Sequence, residues 1–340
     1  MDKVRVGLVG IGGMGYNHYC CHKNLETSDV VAVCDVRTDM AKEKTGGAVK
    51  IYGDLDEMLE KESLDMIDIC TPTYLHASMA EKCLEKGLHV LCEKPMTLDE
   101  KEADKLLAAV KRTDRNFMVA HVVRFMKPYA YLRKAIKSGE NGKLLRLEMH
   151  RNSSVPLTSW QNWFLDESLS GGVVTDLSIH DLDFVSHVLG KPDEVSAFWR
   201  PLKDNSSYSA ASMLYGDTLV SCEASWYKVN INFRAEFLAV FENCFIDFKD
   251  GKLYKNNEET DLSDFSLYDE LGVSVKGDNP YKDEIEYFID CILKGRKPVF
   301  VSPESSASTI RLTDLVKMSA TRFANTPIVQ NLSRKTFKRT

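Results

Sequence analysis

The stretch Val4-Arg5-Val6-Gly7-Leu8-Val9-Gly10-Ile11-Gly12-Gly13-Met14-Gly15, read together with Asp35, decides the fold. An apolar run that ends in GxGxxG reads as a buried strand, a tight turn and the start of a helix. Gly10 permits the turn, Gly12 lets the backbone approach a pyrophosphate, and Gly15 allows the helix to pack closely on the strand. The helix N-terminus, opened by Gly13 and Met14, then faces the phosphates. Asp35 ends a second apolar run, Val30 to Asp35, twenty residues beyond Gly15. A carboxylate at that place accepts hydrogen bonds from the adenosine ribose and repels a 2′-phosphate. The expected cofactor is therefore NAD. NADP is disfavoured, with Arg37 partly offsetting the repulsion, and Val36 and Arg37 are expected to line the same edge.

Working outward, β-type runs at Met66–Cys70, His89–Cys92 and Phe117–Ala120 alternate with helical stretches, the pattern of a parallel sheet covered on both faces. Before the last of these, Thr97 and Glu100 form a capping box for a helix striped by Leu98, Leu106, Leu107 and Val110. The reading is a doubly wound α/β Rossmann domain. Thr71-Pro72 with His76, and Glu93-Lys94-Pro95, follow the fourth and fifth strands, where open α/β sheets place their ligands. After residue 122 the rhythm changes. A helix at Pro128–Ser138 and a strand at Leu144–Arg151 lead to a helix at Leu177–Leu189. Successive strands follow at Val195–Trp199, Ala210–Leu214, Leu219–Trp226, Arg234–Val240 and Cys244–Phe248, then helices at Tyr281–Leu293 and Pro303–Phe323. Strands joined by short turns indicate an α+β domain with a large, mainly antiparallel sheet. The expected domains are 1–122 and 123–340, with the helix near 303–323 packing back on the first.

A chain of 340 residues exceeds what one core serves, so two domains is the natural expectation. Forty-four Lys and Arg against fifty Asp and Glu give a net charge of −6, which argues against nucleic acid as a partner. The short basic stretch Arg334 to Arg339 reads as solvated surface. Nine cysteines form no CxxC pair, and several lie in apolar runs, so they behave as small buried hydrophobes in a reducing compartment. With no signal peptide read ahead of Val4, and no apolar run approaching the roughly 20 residues a bilayer span needs, the expectation is a cytoplasmic protein with no membrane partner.

Plotted at 100° per residue, Asp176, His180, Asp183 and His187 fall on one narrow face of an otherwise apolar helix. Structural polar groups, a metal site and acid/base chemistry all fit such a stripe. No second cluster completes a metal set, so no metal is expected. A histidine with a carboxylate one turn away suits proton transfer to and from a hydroxyl. Gly171 and Gly172 just upstream would let backbone approach a ligand.

With these marks together, the chain resembles the Gfo/Idh/MocA family of oxidoreductases. The likeness is carried by the glycine fingerprint, Asp35, Thr71-Pro72 with His76, Glu93-Lys94-Pro95, and Gly171-Gly172 followed by Asp176 and His180. It implies an open sheet in the second domain that mediates oligomers, so a homodimer or homotetramer is expected. It also implies that Lys94 contacts substrate and nicotinamide ribose, and that Lys94, Asp176 and His180 form the catalytic set. Arg124 with Phe125, His150 with Asn152, and Asp183 look most like the inositol dehydrogenase-type members, where matching positions line a polyol pocket. Trp163 closes an irregular stretch expected near the substrate. The implied activity is reversible oxidation of a secondary alcohol on a sugar or cyclitol, with His180 as general base. Its rivals are an NAD-using glycoside-cleaving enzyme that oxidises a ring carbon transiently, and a non-catalytic sugar or NAD sensor of the same fold.

Overall fold

The computed structural model describes residues 3–157, 159–202, 204–267, 271–273, 275 and 277–324. The chain forms two compact units, one of residues 1–133 with 261–310 and one of residues 134–260 with 311–340. This differs from a single division after residue 122. Residues 261–310 return to the first unit, and the helix Pro303–Ala324 begins in one unit and ends in the other. The basic stretch Arg334 to Arg339 lies outside the described residues.

In the first unit, β1 (Val4–Val9), β2 (Ser28–Cys34), β3 (Lys50–Tyr52), β4 (Met66–Ile69), β5 (His89–Glu93) and β6 (Phe117–Ala120) make one parallel sheet in the order β3-β2-β1-β4-β5-β6. Every residue of β4 and β6 is buried, as a strand with helices on both faces requires. The order reverses between β1 and β4, so the turns after those strands flank the switch point where doubly wound sheets bind ligands. The short edge strand β3 was not legible from alternation, since three residues carry no periodicity. The helix before β6 spans Glu100–Lys111 and is capped by Asp99, whose side chain accepts from the Glu102 N–H. The expected box of Thr97 and Glu100 is thus displaced by two residues: Thr97 donates to the Asp99 carbonyl, and Glu102 accepts from the Leu98 N–H at 3.2 Å. Asp99 is the stronger cap because its carboxylate meets the helix N-terminus directly.

The helix Pro280–Leu293 also belongs to this unit. Asn279 caps it by accepting from the N–H groups of Tyr281 and Lys282, and Pro280 stands where no N–H is needed. Its Tyr287 ring meets Phe125 and Phe300 at 5.9 and 6.0 Å, within the unit's main apolar core.

The second unit holds β7 (Leu144–Ser154), β8 (Glu194–Pro201), β9 (Ser207–Tyr215), β10 (Thr218–Tyr227), β11 (Arg234–Phe241), β12 (Phe245–Lys249), β13 (Lys252–Lys255) and β14 (Glu258–Glu259). They form one sheet in the order β14-β13-β12-β11-β7-β10-β9-β8, antiparallel except for the parallel pair β7 and β10. On one face Arg151 of β7 pairs with Asp181 of the helix Ile179–Leu189, both side chains nearly fully buried, at 2.7 Å. Near the β8 edge, the Ser319 hydroxyl of the last helix accepts from the Ala197 N–H and donates to the Val195 carbonyl. Among the exposed side chains of this sheet are Phe198, 60% exposed, and Tyr208.

Candidate functional site

The cofactor edge of the first unit is built from backbone. Gly10 has φ +84°, and a Cβ there would stand 2.7 Å from the Cys70 carbonyl oxygen. A Cβ on Gly15 would stand 1.9 Å from the Gly10 carbonyl oxygen, so neither position admits a side chain. At Gly13, where the helix begins, nothing lies within 4 Å of that point, leaving open space at the helix N-terminus. Met14, partly buried, accepts a weak hydrogen bond from the Asn17 amide through Sδ.

Asp35, just past β2, is buried. Its Oδ2 accepts from the Ile11 N–H and its Oδ1 from the Arg37 N–H, both at 2.9 Å, while the Arg37 guanidinium pairs with Oδ1 at 3.2 Å. The carboxylate is thus fixed beside the glycine turn, with two-thirds of Val36 exposed next to it. Lys44, absent from the expected set, donates to the carbonyls of Ile11 and Gly12 at 2.9 and 2.8 Å. Burial, and then the charge of Arg37, holds its amine below the ordinary lysine range.

Thr71 and Pro72 follow β4, and Glu93 and Lys94 close the neighbouring strand β5. His76 joins the two turns. Its Nδ1 lies 2.8 Å from the Pro95 carbonyl oxygen and its Nε2 2.8 Å from the Thr71 carbonyl oxygen. Expected at the cofactor, His76 instead has both ring nitrogens on main chain. It is fully buried, and that burial draws its pKa below the ordinary value. It ties the turn after β4 to the turn after β5. Lys94 is half-buried, and its N–H donates to Glu93 Oε2 at 2.9 Å.

Arg124 also departs from expectation. It is fully buried and donates to the Phe300 carbonyl and the Ser305 hydroxyl, both at 3.0 Å, while its own carbonyl accepts from Arg133. A guanidinium enclosed in this way supports the fold and presents no surface to a substrate.

The second unit carries the ionisable helix stripe. The expected single helix is broken: one short helix, Gly172–Asp176, ends at Asp176, and the next starts at Ile179. The Ser178 N–H reaches back five residues to the Val173 carbonyl, which interrupts the helical phase. His180, Asp183 and His187 therefore share a helix, and Asp176 stands at the end of the preceding one. Asp176 and Asp183 are buried and His180 is half-buried. Gly171 and Gly172 have φ of +74° and +67°, and a Cβ on Gly171 would stand 2.4 Å from Thr175 Cβ. They are demanded by the turn that introduces these helices. Trp163 stacks on Phe164 at 3.9 Å, in a segment where Gln161 and Asn162 are left-handed.

His150 does not join the stripe. Neighbours in a strand point to opposite faces, and Arg151 is bonded to the helix at Asp181, so His150 faces the other way. There its ring lies 3.8 Å from Glu148 and 3.6 Å from Glu223. Asn152, on the same side as His150, lines a cleft of about 670 Å³ with Tyr227, Phe233 and Glu236. Among the residues lining that cleft are none of Trp163, Asp176, His180 or Asp183.

Sequence reading missed two arrangements. One is the Arg151–Asp181 pair, signalled by an acid on the apolar side of the stripe. The other is a buried cluster in the first unit. His18 Nδ1 lies 2.9 Å and His22 Nε2 3.0 Å from Asp68 Oδ2, and His18 Nε2 lies 3.2 Å from Glu93 Oε1. Asp68 inside the apolar strand Met66–Ile69, and histidines four apart on the first helix, were its visible signals.

Residues 4–121 match the oxidoreductase family, NAD-binding Rossmann fold, and residues 129–239 match the GFO/IDH/MocA C-terminal domain. A myo-inositol 2-dehydrogenase of Thermotoga maritima is 28% identical over 245 residues, covering 71% of this chain and 68% of that protein. An inositol 2-dehydrogenase of an Arthrobacter species is 32% identical over 196 residues, 56% of this chain and 55% of its own length. The chain thus spans about half the length of that relative. Among solved structures, a UDP-N-acetylglucosamine 3-dehydrogenase from Acidithiobacillus ferrooxidans superposes with a TM-score of 0.77 at 24% identity, over 95% of this chain and 99% of that one. At that identity the likeness is one of fold. No described helix is long and apolar enough to cross a membrane.

Proposed function

Because the chain belongs to the Gfo/Idh/MocA family of oxidoreductases and carries its NAD-binding Rossmann fold, we propose that it moves hydride between a secondary alcohol of a sugar or cyclitol and NAD, an inositol-like polyol being favoured. The observation that carries the reading is the cradle at the switch point. Gly10 and Gly15 admit no Cβ, so the turn closes tightly onto its helix, the N-terminus of that helix at Gly13 meets open space where a dinucleotide's pyrophosphate would pass, Asp35 is fixed beside the turn, and Lys94 directly follows a strand of the same sheet. NAD supplies the hydride acceptor when bound. Gly10, Gly12, Gly13, Met14 and Gly15 would hold its phosphates, Asp35 with Val36 and Arg37 its adenosine end, and Thr71, Pro72, Glu93 and Lys94 its nicotinamide side.

The protein's own chemistry is proton transfer and charge stabilisation. In this reading His180 accepts the hydroxyl proton as the carbinol carbon loses hydride. Lys94 stabilises the developing alkoxide, and Asp176 orients the imidazole or a neighbouring hydroxyl. The nearness in sequence of the inositol 2-dehydrogenases supports the polyol class. The exposed apolar residues of the second sheet, Phe198 and Tyr208, support a homo-oligomer, which sedimentation of the intact chain measures.

The test is NADH formation across a panel of inositols, other polyols, aldoses and glycosides, with NAD⁺ and NADP⁺ in parallel. The expected result is NADH from at least one cyclitol or polyol and a higher kcat/KM with NAD⁺. Glycoside cleavage without net NADH would replace this reading with transient ring oxidation. Tight NADH binding with no turnover of any compound would replace it with a sensor.

A further inference from the structure

His18 lies on the helix Gly13–Lys23 that follows the glycine turn, and it is fully buried. One nitrogen, Nδ1, meets Asp68 Oδ2 of β4 at 2.9 Å, and the other, Nε2, lies 3.2 Å from Glu93 Oε1 at the end of β5. Glu93 turns its second oxygen, Oε2, to the N–H of Lys94 at 2.9 Å. A line of contacts therefore runs Asp68, His18, Glu93, Lys94, in which the His18–Glu93 link is an ion-pair approach and the other two are hydrogen bonds. Other groups close it in. On its own helix stand Cys21 and His22, and His22 also reaches Asp68 Oδ2 at 3.0 Å. Just past β4, Cys70 Sγ lies 3.6 Å from Asp68 Oδ1. From the helix Pro280–Leu293, the fully buried Glu284 brings a carboxyl group with no hydrogen-bond partner among the described residues, in electrostatic contact with Glu93, His18 and Asp68.

Burying an imidazole between two carboxylates takes three polar groups out of water, a cost that apolar packing between helix and sheet would avoid. What the arrangement holds at its far end is the main chain of Lys94. We propose that His18, clamped between Asp68 and Glu93, is a positioning residue that fixes Lys94 for hydride transfer by holding the carboxylate that binds its N–H. This rests on the role given to Lys94 above. Burial draws the His18 imidazole down, but Asp68 beside it more than offsets this and keeps the ring well above the ordinary histidine range. The ring therefore keeps its proton beside the Asp68 carboxylate, with Glu93 on its other side. Once it loses its proton at alkaline pH, the ring no longer carries the positive charge that holds the Glu93 side chain, and the hold on Lys94 loosens.

The test compares wild type, His18→Gln, Glu93→Gln and the double variant by three readings: hydrogen exchange of the Lys94 amide, NADH titration, and kcat against pH with the substrate found in the panel. In His18→Gln the Lys94 amide should exchange at least about tenfold faster, and kcat should fall on the order of tenfold, as for a slightly misplaced catalytic group. NADH affinity and the KM for NAD⁺ should stay within about twofold of wild type, and the alkaline fall in kcat should disappear; a purely structural role would not split the constants in this way. An unchanged Lys94 amide in folded His18→Gln overturns the proposal. If that variant does not fold, the double variant decides: without two facing carboxylates, its Lys94 amide should exchange faster than in Glu93→Gln alone, and equal rates overturn the proposal. If wild type forms no NADH with any compound, the reading of Lys94 as catalytic fails, while the exchange data still decide whether His18 holds it.

Discussion

At the scale of single residues, the cofactor edge depends on atoms that are missing as much as on those present. Gly10 and Gly15 are required because a Cβ at either would collide with main chain, and that requirement was legible in the GxGxxG spacing. Whether a polar residue is spent on the fold or offered to a ligand was not legible, because it depends on partners distant in sequence. Arg124 and His76 look like ligand-binding residues by type and position, yet Arg124 is bonded to the Phe300 carbonyl and the Ser305 hydroxyl, and His76 lies between two main-chain carbonyls. Glu284 is the opposite case, buried with neither oxygen hydrogen-bonded among the described residues. Burial, and then the nearby Glu93 carboxylate, pushes its carboxyl well above the ordinary range, so it is neutral in the fold and ionised when the chain unfolds near neutral pH. A raised acid of this kind binds its proton more tightly when folded. Stability is therefore lost as pH rises above the unfolded value of about 4.5 towards the folded one. Glu284→Gln keeps the shape of the neutral acid and removes that loss. Thermal melts from pH 4 to pH 8 should show a gain that grows with pH and reaches at least about 1 kcal/mol, a few degrees in Tm. A gain independent of pH would show that the carboxyl ionises in the fold.

At the scale of elements, the helix Ile179–Leu189 is held on its sheet by a charged pair inside an otherwise apolar contact. Its apolar periodicity was readable, and so was the stripe of His180, Asp183 and His187. The break before Ile179 was not, because no helix-breaking residue stands where the Ser178 N–H reaches back to the Val173 carbonyl. Removing one partner of the Arg151–Asp181 pair leaves the other charge buried. Arg151→Met should cost about 3–5 kcal/mol of stability, whereas Arg151→Met with Asp181→Leu should restore most of it. Denaturant titration of the two variants measures both, and a double variant as unstable as the single one would mean that packing, not charge, is what Arg151 provides.

At the scale of the whole molecule, the residues proposed for the cofactor and those proposed for proton transfer lie in different units of the chain. The glycine cradle, Asp35 and Lys94 belong to the first unit, and Asp176 and His180 to the second. Binding and turnover should therefore separate under mutation. His180→Asn keeps similar bulk and some hydrogen bonding but removes the base, so kcat should fall by about 10² to 10⁴. NADH affinity should change by less than about twofold, since every residue assigned to the dinucleotide lies in the other unit. Turnover by folded His180→Asn at the wild-type rate would make His180 a structural residue.

By itself the sequence determined the alternation of strands and helices from Val4 to Ala120 apart from β3, the dinucleotide fingerprint and the family likeness, because each depends on local spacing: a strand, a turn requiring glycine, a helix N-terminus and an acid at fixed distance. The tertiary structure decided which ionisable groups meet. Asp68 with His18 and His22, Glu93 between His18 and Lys94, and Arg151 with Asp181 are pairings between residues far apart in the chain. It also decided that His150 and Arg151, adjacent in sequence, serve opposite faces of one sheet. Local periodicity reports how an element is built, whereas the pairing of buried charges depends on how strands are ordered and which helix covers them, and sequence spacing carries no trace of that.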